Sequence, residues 1–262
     1  MKAEMQTLWG SFRMSMLNFF SDPQWIIPNI IAPFVFTAVA LIFFRNASGS
    51  LALYAVLGGG MMGMWGSTLY GAGFALSFDR WNGTLEYVLA TPSRLVWIVA
   101  GRSASSAVLG LVNALAVLIV AVLGFKAQLG IVDPVTFLLT LVLTLASLSA
   151  LGVLFCSSFL LTRSASVLTN GLEMPIYVAS GSMFPIALLP FWSHPLSLSL
   201  GPTWGIDAMR HAADATYTGM SFGFWPDILV LVASTIVYLA IGFWLFIIVE
   251  KKARRDASLV EY

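Results

Sequence analysis

The chain has 262 residues, 59% of them hydrophobic and only 10% charged, with a mean hydropathy of +0.89. A soluble domain carries about 25% charged residues, so this surface is too poor in charge to face water alone and its main solvent is lipid. The net charge of +1 predicts no nucleic-acid partner, and the single cysteine, Cys156, excludes an intrachain disulfide.

In chain order, residues 1–22 predict an interfacial helix. Met5, Leu8, Trp9, Phe12, Met16 and Phe20 recur at three-to-four spacing, while Lys2, Glu4 and Arg13 hold the segment at the membrane surface. No cleavable signal segment is read ahead of it. A spanning helix needs about 20 mostly apolar residues. Six stretches qualify: 24–44, 51–78, 95–124, 134–161, 165–190 and 226–249. The fold class expected is therefore an all-α integral membrane protein, a single transmembrane domain over 1–262. Pro175, Gly181, Pro185 and Pro190 interrupt the fifth stretch, so its far end is expected to be broken.

Lys and Arg orient the chain. With the N-terminus inside, ten of them (Lys2, Arg13, Arg80, Arg94, Arg102, Arg163, Lys251, Lys252, Arg254, Arg255) lie in inner segments and three (Arg45, Lys126, Arg210) in outer ones. That bias places both termini, including the tail 250–262, in the cytoplasm, and residues 191–225 outside.

Within the second stretch, Gly58-Gly59-Gly60-Met61-Met62-Gly63 matches the dinucleotide-binding pattern by letter only, because no strand precedes it. Gly59, Gly63, Ser67, Gly71 and Ala75 recur every four residues, a stripe that lets helix backbones approach closely in lipid. Trp65, Tyr70 and Phe74 flank it and are candidates to line a substrate path, with Tyr177 and Glu173 from the fifth stretch.

Phe78–Arg94 is a charged, helix-forming island between two apolar stretches. Trp81, Leu85, Val88 and Leu89 fall on one side of a helix, Arg80 and Glu86 elsewhere. Thr91-Pro92 pairs a capping residue with a proline at a first helical position, so it is expected to start the third span. The pattern is a short helix, a break and a spanning helix, which gives a partner outside the membrane something rigid to grip. The alternative is an interfacial helix whose Arg80 and Arg94 meet only lipid headgroups.

Glu173 lies ten positions past Arg163, about 15 Å deep at 1.5 Å per residue. A carboxylate there costs several kcal/mol unless paired, hydrated or protonated. It predicts either a functional acid in a water-filled path or dimer seam, or a structural hydrogen bond to Asn170, Thr169 or Asn113. Asp207 and His211 have the i, i+4 spacing of a metal pair, with His194 upstream. A zinc site usually takes three protein ligands or more; with no third evident, a polar external loop is the commoner explanation and no metal site is expected. Asn46-Ala47-Ser48 and Asn82-Gly83-Thr84 match glycan acceptors by letter, and the second is expected to face the cytoplasm without a glycan. There is no P-loop and no Ser-His-Asp or Cys-His set, so the chain is not expected to hydrolyse nucleotide alone and no cofactor is expected in it.

Two stretches resemble the membrane permease subunit of ATP-binding-cassette exporters, the type-2 permease family. Arg80-Trp81-Asn82-Gly83-Thr84-Leu85-Glu86 through Thr91-Pro92 is similar to its E-x-G-T-L-E…T-P motif. Ser180-Gly181-Ser182-Met183-Phe184-Pro185, then Leu189-Pro190, Pro202 and Met209-Arg210, is similar to its S-G-x-x-F-P…L-P…P…R pattern. One departure is visible: the acidic residue that precedes Gly-Thr in the family is Trp81 or Asn82 here.

The resemblance implies a pair of permeases, each docking an ATP-binding-cassette ATPase subunit on the short cytoplasmic helix. Arg80, Thr84, Glu86, Thr91 and Pro92 then belong to a coupling segment spanning 79–92. Gly181, Phe184, Pro185 and Pro190 belong to a re-entrant external hairpin. The rival readings are an ion-coupled secondary transporter using Glu173 and an integral-membrane lipid-modifying enzyme.

Overall fold

A computed structural model describes the chain apart from residues 1, 22, 44–48, 92, 127–130, 161, 163–164, 184–185, 187–188, 218, 221–222 and 257–262. Pro92, Phe184, Pro185, Arg45, Arg163 and the sequon at 46–48 therefore lie outside the described residues. Among those described, every regular element is helical: α1 Lys2–Ser21, α2 Pro23–Phe43, α3 Gly49–Gly66, a π-helical segment Ser67–Gly73, α4 Ala75–Trp81, α5 Leu85–Ala90, α6 Leu95–Phe125, α7 Pro134–Leu160, α8 Ala165–Ala179, α9 His194–Ser199, α10 Gly201–Ala213 and α11 Phe224–Asp256.

Three of these are long and apolar enough to cross a membrane: α6, α7 and residues Phe224–Lys251 of α11. The second stretch is not one regular helix. α3 runs into the π-helical segment and then α4, with the Phe74 N–H bonded to Leu69 O at 3.0 Å, a five-residue reach. The fifth stretch ends early: α8 has 15 residues and stops at Ala179, not at 190, so it is only about 22 Å long against a hydrocarbon core of about 30 Å. Beyond it Ser180, Gly181 and Ser182 are buried, and Gly181 turns the chain at φ +73°.

Lipid tails are as apolar as leucine, so burial of apolar area drives these helices together only weakly. Close packing and interhelical hydrogen bonds take its place. A Cβ at Gly59 would collide with Thr37 of α2, one at Gly63 would stand 2.9 Å from the Asn113 Cβ of α6, and one at Gly71 would meet Ser106. The Asn113 amide donates to Ser67 Oγ at 3.1 Å, and Arg102 donates to Ala75 O at 3.1 Å. The small-residue stripe thus lies down α6 past Asn113, Ser106 and Arg102. The Ser103 hydroxyl joins α6 to Ser149 O of α7 at 2.6 Å.

α1 packs on α6. A Cβ at Gly101 would meet Leu8 O, and the Thr7 and Ser93 hydroxyls are 2.8 Å apart. Leu8, Phe12 and Met16 are half-buried, whereas Met5, Trp9 and Phe20 are exposed. The apolar residues read as one face therefore divide between α6 and the surroundings.

The segment 191–225 is not a polar loop. It contains α9 and α10, and every residue of α10 except His211 is buried. Gly201 and Gly205 make this possible, because any side chain there would strike Ser147 or Thr144 of α7. The Ala212 and Ala213 carbonyls accept from Asp133 and Val132 N–H, which ties α10 to the start of α7. Arg80 meets the other end of α7 at Leu160 O. α10 and the Phe78–Arg94 island therefore sit at opposite ends of a helix 27 residues long, about 40 Å.

Candidate functional site

The Phe78–Arg94 island forms an elbow. α4 ends at Trp81, Gly83 reverses the chain at φ +66°, and α5 follows with Thr84 in the cap position. Thr84 N–H and Oγ1 both reach back to Asp79 O, at 2.9 and 3.2 Å. Thr91 does not start the third span. Its backbone is extended (ψ 144°) and its hydroxyl donates back to Val88 O at 2.7 Å, so it closes α5. α6 starts four residues further on, at Leu95, with Arg94 in the cap position. A β conformation before proline accounts for this: residue 91 is barred from the helical region, and the spacer 91–94 is extended at both ends.

Leu85 is the one residue of α5 that is buried. It sits among Leu76, Leu95, Val99, Phe246 and Val249, with Val88 and Leu89 packed at the edge. The elbow thus rests on the start of α6 and on the same end of α11. Glu86 and Tyr87 are exposed. Trp81, expected on the Leu85 face, is 70% exposed and turns its ring edge to Phe74 instead, at 5.6 Å. Gly83 breaks the helix between them, so the two stretches no longer share a helical phase.

An ion pair and a hydrogen bond from a charged side chain anchor the elbow. Arg102 of α6 pairs with Asp79 at 2.7 Å, both side chains largely buried. The Arg80 guanidinium donates to Leu160 O at 2.5 Å. Desolvation lowers the Arg80 pKa from the ordinary arginine value, and the guanidinium still remains charged. Neither partner was legible in the sequence: 23 positions separate Asp79 from Arg102, and a backbone carbonyl carries no letter.

Beside the elbow is a cleft of about 410 Å³ between α1, the π-helical segment and α6. Tyr70, Phe74, Asp79, Asn82, Arg102 and Met14 are on its wall. Its lining combines the aromatic rings of Tyr70 and Phe74 with the charged Asp79 and Arg102. Tyr70 and Phe74 also border a smaller pocket of about 120 Å³ against Asn170 of α8. Trp65 does neither. It is 0% exposed, within a core formed with Leu148, Leu151, Tyr177 and Met209.

Glu173 is hydrogen-bonded on both oxygens. Tyr70 donates to Oε2 at 2.7 Å and Tyr177 to Oε1 at 3.0 Å, while Tyr70 also reaches Asn170 at 2.9 Å. Two phenols, rather than the Asn or Thr neighbours expected, satisfy a carboxylate at this depth. They also link the π-helical segment to α8. At the far end of α8, Arg210 donates to Gly181 O at 2.9 Å, and the exposed Pro190 caps the short turn Phe191–Ser193.

A family model described as ABC-2 type transporter matches residues 6–213, well over half of the chain. The chain belongs to that family. No curated protein matches it. The permease is thus a membrane transport component, and its matched region takes in the elbow, the cleft and all of α10.

Proposed function

We propose that this is the permease subunit of an ATP-driven exporter in the cell membrane. It pairs with a second copy and couples to a separate ATPase subunit to move an apolar or amphipathic substrate out of the cytoplasm. The elbow and both termini face the cytoplasm, as the Lys and Arg distribution indicates. α1 lies at the inner membrane surface, Gly181 and Pro190 belong to an external hairpin, and the segment 191–225 lies outside. ATP and Mg are bound by the partner.

One observation carries this reading: α5 exposes Glu86 and Tyr87 while Leu85 fixes it between α6 and α11. An ATPase that closes on ATP pushes the exposed face. Leu85 passes the displacement to two spanning helices at once, because close-packed contacts transmit shifts with little slack. The Asp79–Arg102 pair passes it to the end of the π-helical segment, where Tyr70 and Phe74 stand between the cleft and α8. A π-turn is a frequent site of such local adjustment. Arg80, Thr84 and Thr91 keep the elbow rigid.

The test is co-purification with a nucleotide-binding ATPase, followed by substrate-stimulated ATP hydrolysis in proteoliposomes. Glu86→Ala and Thr91→Ala should abolish the stimulation while the complex stays membrane-inserted. Full stimulation in both variants removes the coupling role from the elbow. Transport by the permease alone under a proton gradient, lost in Glu173→Gln, would replace this reading with ion coupling at Glu173.

A further inference from the structure

α10 is buried almost throughout, yet its interior carries two charges. Arg210 is accounted for: its guanidinium lies 3.4 Å from the centre of the Tyr54 ring and donates to Gly181 O. Asp207 receives the Tyr217 hydroxyl on Oδ1 at 2.6 Å and the Met220 N–H on Oδ2 at 3.3 Å. Asp227, in the first turn of α11, is not accounted for. It is 0% exposed, and neither carboxylate oxygen has a hydrogen-bond partner among the described residues. A buried carboxylate with no donor is strongly disfavoured unless something cationic stands beside it or it takes up a proton.

The group beside it is His211. Its Nε2, also without a hydrogen bond, is 3.6 Å from Asp207 Oδ2 and 3.9 Å from Asp227 Oδ2. Those distances are too long for a direct hydrogen bond. They are close to what three ligands of one ion adopt, since bonds of about 2.0–2.2 Å in a tetrahedron put ligand atoms roughly 3.3–3.5 Å apart.

We propose that Asp207, His211 and Asp227 form a binding site for one divalent transition-metal ion, with zinc the best match to one imidazole and two carboxylates. Gly219 lies against the cluster. It sits at φ +58°, and a Cβ there would strike His211 Nε2 and come within 2.9 Å of Asp207 Oδ2. Tyr217 and the Met220 N–H hold the Asp207 carboxylate with Oδ2 turned to His211, the second layer of contacts that orients metal ligands.

His194 is not part of the site; its ring nitrogen is 3.1 Å from Leu189 O. The third ligand comes instead from a different helix. A metal there would pin α10 to α11 at the end of the bundle opposite the elbow, independently of how the elbow is used.

The experiment uses the full-length permease, stripped with EDTA, dialysed and titrated with ZnCl2. Bound zinc is measured per chain, together with the thermal midpoint. Wild type should take up about one zinc ion per chain and gain several degrees. Asp227→Asn and His211→Gln should each lower the affinity at least tenfold and abolish the thermal gain. Tyr217→Phe should weaken binding about tenfold by freeing Asp207.

In zinc-free buffer Asp227→Asn should be at least as stable as wild type, because it removes an uncompensated buried charge. That comparison shows the variant is folded and keeps a loss of binding interpretable. No bound zinc in the wild type overturns the site. So does an undiminished thermal gain in His211→Gln. So does a zinc-free Asp227→Asn that is less stable than wild type while zinc leaves wild type unmoved, since the carboxylate then has a partner within the protein.

Discussion

α5 and α10 are both short helices at ends of the bundle, and they are built in opposite ways. α5 buries one residue of six, Leu85, packs Val88 and Leu89 at the edge of the same cluster and exposes Glu86, Tyr87 and Ala90. α10 buries twelve of thirteen, polar ones included. A helix held by one buried residue and two at the edge can be displaced by a partner at modest cost. A helix enclosed by α7 and α11, with glycines against threonine and serine, shifts only if its neighbours move with it. The comparison separates a part made to be gripped from a part made to hold position.

The strongest test of that contrast is Leu85→Ala. Removing the one buried anchor should cost about 2–5 kcal/mol, seen as a lower thermal midpoint together with loss of partner-stimulated ATP hydrolysis. Gly205→Ala probes the other end. Its methyl would stand against Thr144 Oγ1 and 2.9 Å from Thr144 Cγ2, and such overpacking costs about 1–3 kcal/mol. The midpoint should fall while the folded fraction still couples to its ATPase. If Gly205→Ala instead abolishes coupling with no loss of stability, the assignment of roles to the two ends is reversed.

Asp79→Asn should come next. It removes a charge from a largely buried pair with Arg102 and should cost about 1 kcal/mol after allowance for partial solvent screening. The expected signature is a larger effect on stimulated hydrolysis than on the midpoint. Glu86→Ala, an exposed change, should alter stability by no more than about 0.5 kcal/mol and yet remove stimulation.

The smallest effect is at the acid edge. Hydrogen bonds from the Thr136 hydroxyl and amide hold the Asp133 carboxyl below the usual carboxylate range, and those from Thr216 do the same for Asp214. Both therefore stabilise the fold when ionised. That contribution is present above about pH 4, the unfolded-state value, and is lost as the pH falls through the lower folded values. Thermal midpoints from pH 6 to pH 3 should fall less steeply in an Asp133→Asn, Asp214→Asn double variant than in wild type.

Local pattern made part of this molecule readable. Few charges and long apolar runs identify a helical protein of the membrane. The stretches read at 95–124 and 134–161 end within one residue of α6 and α7, because turn residues and charges bound them sharply. The motif at Gly83-Thr84-Leu85-Glu86 pointed to the family that the matched region confirms. Other readings failed where a local rule met a tertiary one. Thr91 has a good capping side chain, but its backbone is extended and its hydroxyl already serves Val88. Trp81 has the spacing of the Leu85 face, but Gly83 breaks the phase. Asp207 and His211 sit in a segment that reads as polar loop, yet α7 and α11 enclose it.

Sequence alone determined the solvent, the helical class, the family and the position of the elbow, because each depends on composition or on residues within a few turns of one another. Tertiary structure alone decided which charges meet. Asp79 finds Arg102, Glu173 finds Tyr70, and Asp227 is carried to His211 by the packing of α11 against α10. Such pairings cross between helices, and the spacing within any one helix holds no trace of them.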